Sequence, residues 1–228
     1  MSPTADLSVV MPAYDTAAYV GEAIATVLER ADRLRELIVV DDGSHDDTAE
    51  IARAFGDPVR VIVQENRGAA AARNTGIAAA TGAYVGFLDS DDLWMAGAPD
   101  PRLTALDADP ALAGAGGHRR YFAPGADGAP VPVLEPSPGV EVSTLIVRRE
   151  RLQELGGFDE SFALGEDVDL FSRLRESGRG IAVLDDIVLF VRLRPGSLTR
   201  DREAVLHGWM QAGRAAMKRQ REREGQDR

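Results

Sequence analysis

The stretch Tyr84-Val85-Gly86-Phe87-Leu88-Asp89-Ser90-Asp91-Asp92 joins an apolar run directly to three carboxylates within four positions. The apolar run is typical of a buried strand, and the carboxylates follow where that strand would end. Like charges at this spacing repel one another, and burying an unpaired carboxylate is costly. A divalent cation would offset the cost, because hard oxygen ligands suit Mg²⁺ or Mn²⁺, and Mg²⁺ commonly keeps substrate phosphates among its ligands. The stretch therefore predicts a site for a metal and a phosphorylated ligand, whereas a solvated acidic turn is the simpler alternative.

The composition excludes several classes of function. The chain has 228 residues, of which 44% are hydrophobic and 28% charged, and its formal net charge is −11. Nucleic-acid binding relies on basic surfaces, so an acidic chain is a poor candidate for it. The absence of cysteine excludes thiolate–metal sites, and three scattered histidines argue against a zinc site. No run approaches the ~20 apolar residues of a membrane span, and residues 1–6 lack a secretory pattern, so we expect a cytoplasmic protein.

Strands and helices are predicted to alternate over residues 7–92. Short apolar runs predict strands, and apolar residues at helical spacing predict helices. This order predicts an α/β fold with a doubly wound, mainly parallel central sheet and helices on both faces. Ligands of such sheets bind beyond the carboxyl ends of the strands. The predicted strands are 7–11, 36–40, 60–64 and 84–88. One predicted helix follows a cap at Asp15 or Thr16, and two others cover 48–55 and 69–79.

The second half of the chain has a less regular pattern. Residues 124–139 are rich in proline and glycine and predict a loop. The predicted strands are 119–122, 142–147, 181–184 and 187–193, and the predicted helices are 149–155, 168–177 and 201–224.

Three other charged motifs are candidates for ligand contacts, and each also has a purely structural explanation. Asp41 and Asp42 end the second predicted strand, where a carboxylate could accept hydrogen bonds from a nucleobase or simply belong to a turn. Arg73 could pair with a phosphate through its fork geometry, or it could lie on a solvated helix face. Glu166 and Asp167 open a helix, where the macrodipole favours negative charge and would keep a general base ionised.

Six segments, taken in order, resemble the inverting glycosyltransferases of family 2, which have the nucleotide-sugar-binding GT-A fold. Each segment is weakly specific alone, whereas their order and intervals are highly specific. The segments are VMPAY at 10–14, VVDDGS at 39–44, NRGAAAARNTGI at 66–77, FLDSDD at 87–92, GGFD at 156–159 and GED at 165–167. The resemblance implies a single GT-A domain over residues 1–200, divided into a nucleotide-sugar-binding half at 7–92 and an acceptor half at 93–200, with a C-terminal helix at 201–228.

The resemblance also implies sugar transfer from a nucleotide-diphosphate donor, which we expect to be a UDP-sugar, in polysaccharide, glycolipid or other glycoconjugate biosynthesis. Asp167 would be the general base that deprotonates an acceptor hydroxyl, so that the reaction inverts the anomeric carbon. Asp91, with Asp89 beside it, would hold a divalent metal on the diphosphate, while Asp92 would cap a helix. Asp41 or Asp42 would bind the nucleobase, and Asp42 is preferred. The remaining substrate contacts would come from Pro12, Tyr14, Arg73, Asp89, Glu166 and Arg194.

Arg194 departs from the pattern of the family, in which a histidine near the metal or diphosphate commonly occupies this position. Arginine stays protonated and cannot normally bind a metal, but it could contact the diphosphate and share charge stabilisation with the cation. The alternative is a side chain that points to solvent from a loop.

Two other functions stay open. A sugar-phosphate nucleotidyltransferase has a related fold but usually carries a glycine-rich, basic phosphate loop after the first strand, and residues 11–15 offer none. A nucleotide-sugar-binding module without catalysis is opposed by the presence of Asp91 and Asp167, although Arg194 leaves room for it.

The C-terminal helix has apolar residues at mixed helical spacing, including Trp209 and Met210. We expect it to pack on the domain or to form a homodimer with a second copy. The basic end at 218–223 would also permit weak contact with anionic lipid at the inner membrane face.

Overall fold

The computed structural model of the chain describes residues 6–97, 100–125, 130–134, 141–193 and 202–226. In the N-terminal half, the strands and helices alternate as the apolar pattern predicts. Their bounds are β1 Leu7–Ala13, α1 Val20–Arg30, β2 Leu34–Asp41, α2 Thr48–Arg53, β3 Val59–Val63, α3 Ala69–Ala79 and β4 Tyr84–Phe87.

The C-terminal half completes the sheet and adds four helices among the described residues. Their bounds are β5 Leu93–Trp94, α4 Pro101–Ala108, β6 Gly114–Pro124, β7 Pro130–Pro132, β8 Ile146–Arg148, α5 Arg149–Glu154, α6 Glu166–Glu176, β9 Ile181–Arg192 and α7 Arg202–Gln226. No helix in the described part of the chain has the length and apolar character needed to cross a membrane.

The central sheet has the strand order β3-β2-β1-β4-β8-β6-β9-β5, with β7 paired to β6. The four N-terminal strands are all parallel, which confirms the predicted mainly parallel sheet in this half of the chain. Antiparallel pairing begins where β8 joins β4 and continues to β6, whereas β6 and β9 are parallel. The carboxyl ends of β1 to β4 therefore lie at one edge of the sheet. The second half of the chain begins at that edge, after β4.

Alternation along the buried strands produces two hydrophobic cores, one on each face of the sheet. On β1, Leu7, Val9 and Met11 pack with α1, α2 and α4, while Val10 packs with α3, α5 and α6 on the other face. The small residues of α3 allow close approach, because a Cβ at Gly76 would lie 2.3 Å from Val10. Helices on both faces confirm the doubly wound arrangement.

Three boundary predictions are wrong. The predicted strand 142–147 is a 3₁₀ turn at Val142–Thr144 followed by β8. The helix predicted at 168 begins at Glu166, because Gly165 adopts a left-handed conformation with φ of 88° and serves as the N-cap. The helix α1 follows Tyr19 and has no side-chain cap, so neither Asp15 nor Thr16 caps it.

The two strands predicted at 181–184 and 187–193 form one continuous strand, β9. The register on β6 moves by two residues between Gly116 and His118 while it moves by four on β9, from Val183 to Ile187. The intervening pair Asp185-Asp186 is thus a bulge, which explains why these exposed acids interrupt the apolar pattern without ending the strand. Part of the predicted loop 124–139 is a strand, since β7 pairs with β6.

Candidate active site

The carboxyl ends of β1, β2 and β4 bring most of the predicted site residues together. Tyr14 follows β1, the Asp41-Asp42 pair closes β2, and Asp89 follows β4. Parallel pairing of these neighbouring strands puts their ends side by side, as the motif positions predict. The edge therefore carries an aromatic side chain and several carboxylates. We call it the cleft, because ligands of open α/β sheets bind in the crevice beyond the carboxyl ends of the strands.

Asp42 holds the loop that leads into α3. Its Oδ1 accepts hydrogen bonds from Gln64 Nε2 at 2.7 Å and Arg67 N at 3.0 Å, and its Oδ2 accepts one from Gly68 N at 2.7 Å. Asp41 is equally buried, and its Oδ1 accepts a bond from Ser44 N at 2.7 Å. Both carboxylates thus stabilise the turn. Asp42 accepts hydrogen bonds from two backbone N–H groups, whereas Asp41 accepts one from Ser44 N.

Tyr14 forms an exposed aromatic wall beside this turn. Its side chain is 44% exposed and packs edge-on against His45, with ring centroids 6.1 Å apart. Asp15 joins the two loops, because its N–H donates to Ser44 Oγ and its Oδ1 accepts from His45 N. Pro12 is buried within β1, so its side chain offers little surface to a ligand.

Arg73 links the strand-end carboxylates to the helix that carries the predicted base. The residue is 5% exposed, and its Nη2 donates to Asp89 Oδ1 at 2.8 Å while its Nη1 donates to Glu166 Oε1 at 2.7 Å. The guanidinium also lies over the ring of Phe158 at 5.5 Å. Burial alone would lower the pKa of Arg73, but Asp89 and Glu166 outweigh it and raise that pKa. The buried cation therefore fixes two acids that are far apart in sequence.

The acidic turn after β4 is closed by Arg192 at the end of β9. Arg192 N donates to Asp92 Oδ1 at 2.9 Å, and its Nε donates to the carbonyl of Asp91 at 2.8 Å. Asp92 is buried, and burial, together with Asp91 and Asp89, raises its pKa well above the ordinary value. The prediction that Asp92 caps a helix is wrong, because β5 follows it and its carboxyl binds a strand backbone instead.

Asp167 lies in the first turn of α6, as the sequence predicts. Its Oδ1 accepts a hydrogen bond from Val168 N at 2.7 Å. Burial raises the pKa of Asp167, Glu166 adds to the increase, and the Val168 N–H and Arg73 oppose it. The expectation that the helix N-terminus keeps this group ionised is opposed by burial, since the net effect is a raised pKa of Asp167. A carboxylate with a raised pKa is a stronger proton acceptor, which suits a general base.

Glu141 and Arg119 belong to the site but were not found from the sequence. Arg119 Nη1 lies 3.4 Å from Glu141 Oε2, and the other carboxyl oxygen of Glu141 is buried without a partner among the described residues. Burial raises the pKa of Glu141 to about 7, Arg119 opposes the increase, and Asp89 and Asp167 add to it. An isolated glutamate after a proline-rich loop carries no sequence signal, so only the fold brings it to the cleft.

Asn74 clamps the GGFD segment against α3. Its Nδ2 donates to the carbonyl of Phe158 at 2.9 Å, and its Oδ1 accepts from Phe158 N at 2.8 Å. Gly157 has a φ of 72°, and a Cβ there would lie 2.4 Å from Asn74 Oδ1. The neighbouring motifs RN and GGFD therefore depend on each other, which explains their joint presence in the sequence.

The residues of the acidic turn fit a metal that completes its coordination with substrate phosphates. No group of three or more acidic, histidine or cysteine side chains in the described ranges is arranged to hold a metal ion by itself. Mg²⁺ needs only one or two carboxylates when phosphates supply the rest. The Asp89 side chain is 39% exposed and Asp91 is half-buried, so hard oxygen ligands are present at the cleft. Arg194 lies outside the described residues, and its predicted role stays a prediction.

Known proteins share this arrangement of elements and motifs. Residues 8–156 match the model of Glycosyl transferase family 2. The chain is 31% identical to the uncharacterized glycosyltransferase EpsJ of Bacillus subtilis over 217 residues, covering 85% of this chain and 62% of EpsJ. It is 28% identical to the succinoglycan biosynthesis protein ExoU of Rhizobium meliloti over 236 residues, covering 90% of this chain and 66% of ExoU. The chain thus spans about two thirds of the length of these relatives.

A solved structure supports the same fold. The mannosyltransferase PcManGT from Pyrobaculum calidifontis, solved with GDP-Man and Mn²⁺, superposes with a TM-score of 0.76 at 23% identity. The superposition covers 96% of this chain and 67% of PcManGT. That similarity shows the GT-A fold. The match of residues 8–156 to the family model shows the family to which the chain belongs. The chain is a member of glycosyltransferase family 2.

Proposed function

We propose that the chain transfers a sugar from a nucleotide-diphosphate donor to an acceptor hydroxyl with inversion, in the synthesis of a polysaccharide, glycolipid or other glycoconjugate. The observation that carries this proposal is the bridge from Asp89 through Arg73 to Glu166. It ties the donor edge of the sheet to the first turn of α6, which bears Asp167. The similarity to ExoU, a succinoglycan biosynthesis protein, supports the broader process.

In the proposed mechanism, Asp167 accepts the proton of the acceptor hydroxyl as its oxygen attacks the anomeric carbon. A new carbon–oxygen bond forms on one face while the bond to the donor diphosphate breaks on the other, so the configuration inverts. The electron pair of the broken bond leaves with the nucleoside diphosphate. Arg73 keeps Glu166, the neighbour of Asp167, in place throughout, which preserves the position of the base.

Donor binding is assigned to the strand ends. We propose that Tyr14 and the backbone at Pro12 contact the nucleobase together with Asp41 or Asp42, and that Asp89 faces the sugar. Asp91 and Asp89 would hold Mn²⁺ or Mg²⁺, which would stabilise the negative charge of the departing diphosphate. The presence of GDP-Man and Mn²⁺ in PcManGT supports this class of donor and cofactor. A UDP-sugar stays our first choice of donor.

Arg194 is proposed to share the diphosphate charge with the cation, so that metal dependence is weaker than in relatives with histidine. Complete loss of donor binding in EDTA, with full recovery on adding Mn²⁺, would count against this role. We also propose that residues 1–200 form a single transfer domain. We also propose a cytoplasmic location for the chain.

The test is a calorimetric screen of UDP-, GDP- and dTDP-sugars with and without Mn²⁺. The proposal predicts that one donor class binds and that the bound donor is slowly hydrolysed when no acceptor is present. Binding without hydrolysis or transfer to any acceptor would favour a binding module. Release of pyrophosphate from a nucleoside triphosphate and a sugar phosphate would instead identify a nucleotidyltransferase.

A further inference from the structure

The C-terminal helix α7 presents an apolar and basic surface away from the domain. Leu206, Trp209, Met210 and Met217 have exposed fractions between 46% and 57%. Arg214, Lys218 and Arg221 are exposed on the same side of the helix, following the apolar residues toward its C-terminal end. We call these seven residues the outer face of α7. It is unusual in this chain, because the whole molecule carries a net charge of −11.

The opposite side of α7 is fastened to the domain. A Cβ at Gly208 would lie 2.4 Å from the carbonyl oxygen of Leu164, so the helix backbone touches the loop before α6. Farther along, Arg219 donates to the buried Asp169 at 2.7 Å and to Glu176 at 3.0 Å. These contacts fix the direction of the outer face relative to α6.

Two depressions border the outer face and share Met217. One is a groove of about 590 Å³ between α6, α7 and the start of β9, with apolar walls that include Phe171, Ile181 and Val183. The other, of about 290 Å³, is lined by Met217 together with Arg214, Lys218, Arg221 and Glu222. Apolar surface and cations are therefore contiguous at one end of the molecule.

We propose that the outer face of α7 docks the protein on an anionic lipid bilayer. Exposed Trp, Leu and Met side chains can enter the boundary between headgroups and acyl chains, while neighbouring Arg and Lys side chains contact anionic headgroups. A protein with a net charge of −11 is repelled from such a surface as a whole, so a local basic face also selects the orientation. Charge complementarity thus identifies the bilayer as the partner of this face.

A second copy of the chain fits the outer face less well. In a two-fold symmetric dimer the same patch lies on both subunits. Arg214, Lys218 and Arg221 of both subunits would then lie within one interface, and like charges would oppose association. The homodimer predicted from the sequence is therefore not the expected occupant of this face.

Docking through α7 would set the cleft at a fixed height above the membrane. The helix α6 begins with Glu166 and Asp167 and is held directly by α7. The docking surface does not depend on the proposed transfer reaction, since its residues are separate from the donor site.

The experiment is flotation of the full chain with vesicles of phosphatidylcholine, alone or mixed in equal parts with phosphatidylglycerol. The wild-type protein should float with the anionic vesicles only, and it should be released at about 1 M salt, where the Debye length is about 3 Å. Each unpaired cation contributes about fivefold to partitioning near an anionic surface, and Lys218 lies 3.9 Å from Glu222, so R214Q/K218Q/R221Q should weaken partitioning by about 25-fold or more. Met217→Ser should also weaken it.

Matched controls lie on other surfaces of the protein. Arg53→Gln removes a half-exposed cation on α2, and Val63→Ser changes a residue as exposed as Met217, both at 54%. Neither control should alter flotation, and the triple variant should keep wild-type circular dichroism and donor binding. Absence of wild-type flotation, or equal flotation of the triple variant, would overturn the proposal. So would self-association by light scattering that is lost in the triple variant while vesicle binding is absent. Loss of donor binding with intact flotation would refute only the proposed transfer.

Discussion

Replacing Arg73 with glutamine should destabilise the protein by about 3 kcal/mol. Removal of one partner of a buried ion pair typically costs about 3–5 kcal/mol, because the remaining charge stays buried without compensation. Here Glu166 would keep its charge with a side chain only 14% exposed, whereas Asp89, at 39%, can regain water. The lower end of the range therefore applies. Arg73→Lys should recover part of the loss, since one ammonium can pair with only one of the two acids.

Urea unfolding measures this effect. With a denaturant slope of about 2–3 kcal/mol per molar, the midpoint should fall by about 1 M or more. The matched control is Arg53→Gln, because Arg53 pairs with Glu50 at 3.0 Å on the exposed surface of α2. Exposed pairs contribute about 0–1 kcal/mol, so this variant should unfold near the wild-type midpoint. Equal midpoints for the two variants would refute the claim that Arg73 is the buried link between the two halves of the site.

Three further predictions concern the acids around the cleft and the attachment of α7. Because burial raises the pKa of Glu141 from 4.5 to about 7, the folded state keeps a proton that the unfolded chain has released, and the stability from this proton is lost as the pH rises from about 4.5 to about 7. Wild-type stability should therefore fall by roughly 3 kcal/mol between pH 5 and pH 8 from this group, and Glu141→Gln should remove that dependence in urea titrations. Asp92→Asn should leave stability at pH 7 unchanged or higher, because it keeps an acceptor for Arg192 N, whereas Asp92→Ala should lose about 1–3 kcal/mol. Gly208→Ala should speed hydrogen exchange in α7 by crowding Leu164, while Gly213→Ala, with open space around it, should slow exchange; equal effects would contradict the packing.

The N-terminal half of the fold could be predicted because β1, β4 and most of β2 are buried on both faces. Such strands appear as continuous apolar runs, and the helices between them show their own spacing. The second half resisted prediction where backbone details override the pattern. The bulge at Asp185-Asp186 places two acids inside one strand, and the apolar run 142–147 is shared between a 3₁₀ turn and β8.

The site could be predicted where strand ends or helix starts carry the acids. Asp41, Asp89 and Asp167 all occupy the predicted places. The partners of those acids could not be predicted, because they come from distant segments. Arg73 and Glu166 are separated by 93 positions, and no local pattern indicates that they meet. Glu141 was missed for the same reason.

The central claim is that Asp167 is the general base of sugar transfer, and the most direct test is the single-turnover transfer rate of Asp167→Asn. The variant should bind donor with wild-type affinity but transfer sugar about 10²–10⁴-fold more slowly, because the acceptor proton has no base. Asp185→Asn, at a fully exposed carboxylate, should transfer at the wild-type rate. A near-normal transfer rate for Asp167→Asn would contradict the assignment.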